Sequence, residues 1–94
     1  DVRRLYARVH PDDLKATLAS IDISARDLTV WSHSYRVVLP RQGLRWHQVN
    51  AAPLREPDGS VVWHGYTTDI TEERQAQHRA ERQQRMLDAV RQAQ

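Results

Sequence analysis

The chain has no cysteine, no phenylalanine, and only three glycines and four prolines in its 94 residues. The missing cysteine excludes disulfides, thiolate nucleophiles, cysteine-ligated metals and cysteinyl-flavin photochemistry. With no phenylalanine, three tryptophans and three tyrosines supply all the aromatic bulk, and only 39% of residues are hydrophobic. The core must be thin, since one domain of this size buries only about 60% of its unfolded surface. No apolar run is long enough to cross a bilayer or to serve as a signal-peptide core, so no membrane contact is expected; the expected location is cytoplasmic. The formal net charge of +2 is spread over interspersed acids and bases, which is no footprint for nucleic acid. The chain starts at Asp1 without a methionine and reads as a piece of something longer.

What is present organises into a helix, three strands and a second helix. Leu5 and Val9 form a short apolar pair at helical spacing. His10-Pro11-Asp12-Asp13 suits a helix start, with proline in the first turn and acids near the positive helix end. Leu14, Leu18 and Ile21 follow as one apolar stripe, which fades near Ser24, and Ala25 to Thr29 reads as a connection. Trp31 to Leu39 alternates and is rich in β-formers, so it predicts a strand. Pro40-Arg41-Gln42-Gly43 breaks it, Leu44 to Leu54 predicts a second strand, and Glu56-Pro57-Asp58-Gly59 a turn before a third strand, Ser60 to Thr68. Short turns between successive strands predict an antiparallel meander.

Two-residue loops at Arg41-Gln42 and Asp58-Gly59 place Val37 opposite Trp46 and Trp63 opposite Leu54. Alternation then puts Trp31, Tyr35, Val37, Leu39, Leu44, Trp46, Leu54, Val61 and Trp63 on one face. The other face carries Val38, Val49, Ala51, Val62 and Tyr66 with Arg36, His47 and His64. Neither face is plainly solvent-like, and one helix covers only one of them, so further chain or a partner subunit is expected over the other.

Beyond Asp69 the composition shifts. Asp69 with Glu72 resembles a capping box, and from Glu72 to Gln94 there is neither glycine nor proline. Ala76, Ala80, Gln83, Leu87 and Val90 recur at the spacing of a coiled-coil seam, though two alanines and a glutamine make it weak.

Candidate chemistry is sparse. His10, His33, His47, His64 and His78 lack the spacing of a zinc site, and scattered histidines are the better reading; no metal is expected. Haem ligation by His10 is outweighed by a capping role. Ser32, His33 and Ser34 alternate between faces of one strand, so no nucleophile–base pair follows. The acid pairs Asp12-Asp13 and Glu72-Glu73 sit at helix starts, where the helix dipole accounts for them. The arginines of the last helix alternate with acids and lack interleaved aromatics, which favours a solvated face. No catalytic residue and no cofactor is expected.

Taken in order, Val9-His10-Pro11-Asp12-Asp13, Tyr35-Arg36, Gly43-Leu44-Arg45-Trp46, Pro53 to Gly59, and Trp63-His64-Gly65-Tyr66-Thr67-Thr68-Asp69-Ile70-Thr71 resemble the C-terminal half of a PAS sensor domain. The close match is to the subclass whose last strand ends in Asp-Ile-Thr before a signalling helix. The resemblance implies an α+β fold: one amphipathic helix, a three-stranded antiparallel meander and a C-terminal helix, with the first two strands of the PAS sheet absent. It divides the chain into a truncated PAS-like domain, 1–71, and a signalling helix, 72–94. It implies a sensory and dimerisation module of a bacterial signalling protein, not itself an enzyme, relaying a conformational change to a histidine kinase or diguanylate cyclase further along the chain. The expected partner is a second copy, through the sheet face or the C-terminal helix. Signal transmission falls to Asp69, Ile70 and Thr71 with Trp46 and Arg36, since the Asp of this motif commonly ties the helix back to a basic residue and a tryptophan. Here the alternation favours Trp46 over Arg36 as the contact of Asp69. A purely structural dimerising linker is the alternative, and a small-molecule pocket on the His47, Val49, His64 and Tyr66 face is the third reading.

Overall fold

Prolines, more than the dipeptides between them, decide how this sheet is assembled. The computed structural model describes residues 7–93, so Leu5 of the apolar pair Leu5–Val9 lies outside the described residues. Helix α1 spans Pro11–Asp27, strands β1 Trp31–Leu39, β2 Gly43–Arg55 and β3 Val61–Asp69 form one antiparallel sheet in that order, and helix α2 spans Thr71–Ala93. The architecture is α+β, as expected.

Both hairpins are longer than two residues. Leu39 pairs with Gly43, leaving Pro40, Arg41 and Gln42 as the first loop, and Arg55 pairs with Val61 across the second. Pro40 has no N–H to give a closing rung, so it is left out of the ladder. In the second loop the Gly59 N–H donates to Glu56 O, which makes Pro57-Asp58 the turn centre and leaves Gly59 after it at φ +91°. Proline's locked φ suits the first central position of that turn. Asp58 finishes it by accepting from the Ser60 amide at 2.9 Å and hydroxyl at 2.6 Å.

Each hairpin therefore shifts by one residue from the expected register: Trp46 lies opposite Arg36, and Trp63 opposite Pro53. A one-residue slip turns every side chain of a strand to the other face. The two slips cancel for β3 relative to β1 and act on β2 alone. Trp31, Tyr35, Val37, Leu39, Val61 and Trp63 share a face as expected. Leu44, Trp46 and Leu54 instead turn to the outer face, and His47, Val49 and Ala51 turn inward.

The inner face packs on α1. The buried core is Val9, Trp31, Tyr35, Val37, Val49 and Ala51, flanked by Leu14, Ile21, Leu39 and Trp63. The helix residues buried most deeply are polar, Thr17 and Ser24. With Ser20 they pair with ring nitrogens of the sheet: Thr17 Oγ1 lies 3.0 Å from His33 Nε2, Trp31 Nε1 donates to Ser20 Oγ at 2.9 Å, and Trp63 Nε1 to Ser24 Oγ at 2.9 Å. Ser24 donates onward to Thr29 O at 2.6 Å, and no buried side-chain polar atom among the described residues lacks a partner. Hydrogen bonds of this kind fix the helix's rotation and height on the sheet, where an apolar stripe would let it slide. The helix ends at Leu28, left-handed at φ 52°, a conformation that suits glycine better.

Candidate functional site: two aspartate joints around Trp46

The strand-to-helix joint is built on three consecutive residues, Asp69, Ile70 and Thr71. Asp69, last in β3, accepts from the Thr71 amide (2.9 Å) and hydroxyl (2.6 Å) through Oδ1, and from Arg45 Nε (2.8 Å) through Oδ2. Thr71 is buried, and its Oγ1 accepts from the Trp46 amide at 2.8 Å. The Ile70 amide donates to Trp46 O at 2.8 Å, and Arg74 N to Ile70 O opens the helix ladder. Asp69 thus closes the start of α2 from one position before the usual N-cap. The Arg45 guanidinium, then the Thr71 bonds, hold its carboxyl far below the ordinary carboxylate range.

Trp46 is the fixed point of this joint. Its backbone N–H and C=O both receive the incoming chain, and its indole lies on the outer face. The Arg74 guanidinium stands 4.1 Å from the ring centroid and that of Arg36 5.6 Å. Both are within the ~6 Å reach of a cation–π contact.

Arg36 does not meet Asp69. Its partner is Asp13, in the first turn of α1, through Nε (2.9 Å), an Nη (2.7 Å) and the Arg36 backbone N–H (2.7 Å). The His10 amide takes the Arg36 carbonyl at 2.8 Å, so this rung of the β1 edge is satisfied on both sides. The Arg36 hydrogen bonds outweigh desolvation and lower the Asp13 pKa from 3.8 to about 2. Asp13 and Arg45 are residues that sequence reasoning missed, Asp13 because a helix-start acid needs no distant partner to account for it.

Asp69, Ile70, Thr71 and Trp46, expected to transmit the signal, come together here. The Asp69 carboxylate, however, meets Arg45 and Thr71 and neither Arg36 nor the favoured Trp46 ring, which the β2 slip turns to the outer face. The four residues expected to line a pocket do not share a face. His47 and Val49 face α1, with the His47 ring edge-on to Tyr35 at 6.2 Å, whereas His64 and Tyr66 project from the outer face and are exposed. The cause is the β2 slip.

A meander clasped by one helix, with its last strand joined to the start of another, makes this chain an α+β domain of helix, three-stranded meander and helix. Residues 1–67 match the profile of the PAS fold, and the chain belongs to the PAS family. Among solved structures it is similar to a sensory box histidine kinase/response regulator from Burkholderia thailandensis (TM-score 0.75, 22% identity), covering 87% of this chain and 63% of that one. It is also similar to the N-terminal domain of a diguanylate cyclase with PAS/PAC sensor from Marinobacter aquaeolei (TM-score 0.66, 24% identity), covering 79% of this chain and 69% of that one. The chain thus spans less than two thirds of the first of these, and at such identities the likeness shows the fold. No curated protein matches the chain.

Proposed function

We propose that this chain is a sensory and dimerisation module of a bacterial signalling protein, one that relays a conformational change through α2 to an effector domain beyond it. The observation that carries the reading is the Asp69–Thr71–Trp46 joint, because both backbone groups of one mid-sheet residue are spent on the start of the helix. A displacement of β2 therefore has a direct mechanical path into α2. A histidine kinase or a diguanylate cyclase is the effector the reading favours, by analogy with the parents of the two similar domains. A cytoplasmic setting accords with it: among the described residues no helix is long and apolar enough to cross a membrane.

Self-association is part of the same reading. Met86, Leu87 and Val90 are exposed along one stripe of α2, and the outer sheet face exposes Val38, Leu44, Leu54, Val62 and Tyr66. A second copy aligned along α2 would bury the stripe as a two-stranded seam.

The test is Asp69→Asn in the intact signalling protein, read as stability and as output. The reading expects output to change by more than the small stability loss accounts for. Output that follows stability alone would leave the alternative, a structural spacer. Sedimentation of the chain with Leu87→Arg should shift a dimer to monomer; an unshifted dimer would point away from α2.

A further inference from the structure

Two cations face one indole. Arg74 and Arg36 both lie within cation–π range of Trp46, yet like charges brought to a single ring repel. Among the described residues only Arg36 has a carboxylate partner: Asp13 holds its guanidinium by two hydrogen bonds and also accepts its backbone N–H. Arg74, the fourth residue of α2, is the nearer to the ring and half-buried. Its hold on Trp46 adds a second side-chain clamp to the Ile70 backbone bond and the Thr71 hydroxyl bond.

We propose that the Asp13–Arg36 pair is a positioning device that lets Arg74 dock on Trp46, coupling the first turn of α1 to the first turn of α2 across the outer face. With Asp13 in place, Arg36 contributes little net charge at the indole and Arg74 settles on it. When Asp13 lets go, an uncompensated Arg36 cation competes for the ring and repels Arg74. Whatever moves the start of α1 then loosens the start of α2 without passing through the buried core. Because coupling is reciprocal, docked Arg74 must favour the Asp13–Arg36 pair to the same degree. The inference deepens the relay reading, on which its importance for output rests, while the coupling itself belongs to this chain alone.

Amide hydrogen exchange on this 94-residue chain tests it. In Asp13→Asn, the Arg74 and Ile70 amides should exchange at least about fivefold faster relative to mid-sheet β2 amides, the lower end of ordinary allosteric coupling. In Arg74→Gln, a surface change that leaves the core intact, the Arg36 and His10 amides should speed up by a similar factor. In the double variant the two effects should combine less than multiplicatively. Unchanged ratios in either single variant, or multiplicative effects in the double, overturn the proposal. Should Asp13→Asn not fold, the Arg74→Gln arm decides alone. Loss of output in the intact protein with these ratios unchanged would leave the relay standing and the coupling refuted.

Discussion

The two helices meet the sheet through the same chemistry and are held very differently. At each start an aspartate takes an arginine guanidinium and a backbone N–H: Asp13 with Arg36 at α1, Asp69 with Arg45 and Thr71 at α2. Behind the first stand the core residues Val9, Tyr35 and Val37 and three hydroxyl-to-ring contacts along the helix. Behind the second stand Thr71, the Trp46 backbone and one stacked arginine. The exposed carboxylate of Asp69 is also more screened than that of Asp13, their side-chain exposures being 35% and 20%. The same ion pair anchors where it is backed by buried surface and hinges where it is not.

The largest expected effect removes the frame on which the α2 joint hangs. A Cβ at Gly65 would stand 2.1 Å from Asn50 O and 2.4 Å from Ala51 Cα, so β2 and β3 must part to admit it. Gly65→Ala should destabilise the chain by about 3 kcal/mol in urea unfolding, with exchange at Ile70 the first to rise. Full stability would show that the strands yield there.

Asp13→Asn breaks the anchor and should lower stability by about 2 kcal/mol, since it strips charge from three hydrogen bonds at a part-buried site. The pH dependence has a definite sign. Folding lowers the Asp13 pKa from 3.8 to about 2, so its stabilisation is present above pH 3.8 and is lost as pH falls toward 2. Urea midpoints measured across that window should fall less steeply in Asp13→Asn than in the parent chain.

Leu28→Gly acts at the far end of α1 and in the opposite direction. It relieves a left-handed leucine and should stabilise by up to about 1 kcal/mol, seen as a raised Tm, because the leucine side chain is largely exposed. Exchange at the α2 joint should not move; if it does, the two ends are less separate than the comparison holds.

The smallest effect on stability belongs to Asp69→Asn, under about 1 kcal/mol for a screened carboxylate that also caps a helix. Local exchange at Thr71 should nonetheless rise more than the urea midpoint falls. A loss as large as that of Asp13→Asn would erase the distinction between anchor and hinge.

Much of this was legible from residue order. Strand β1 runs from Trp31 to Leu39 as read, and β2 and β3 differ from expectation by one residue at their ends. Helix α1 runs on to Asp27, past the connection expected from Ala25, because Ser24 is held by Trp63 and Thr29 and not by an apolar stripe. Local propensity cannot report such partners. The register departs from expectation for one reason in both hairpins: Pro40 and Pro57 extend loops that Arg41-Gln42 and Asp58-Gly59 alone would close. That single slip put Trp46 on the wrong face and scattered the His47, Val49, His64 and Tyr66 pocket. It also concealed Arg45, which shares the inner face with Asp69 once β2 is turned. Asp13 was out of reach for another reason, as its partner lies 23 residues on and nothing local marks it.

One rung of β1 settles how this sheet can grow. A bare strand edge is a template for another backbone, and proteins guard against uncontrolled addition there. At Arg36 the outward amide is already taken by the Asp13 carboxylate and the outward carbonyl by the His10 amide. A newcomer sliding along that rail is stopped in mid-strand, whereas β3, at the other end of the strand order, has no such plug at its centre among the described residues. The sheet therefore has a closed side and an open one, and the Asp13 carboxylate that anchors a helix also keeps strangers off the closed side.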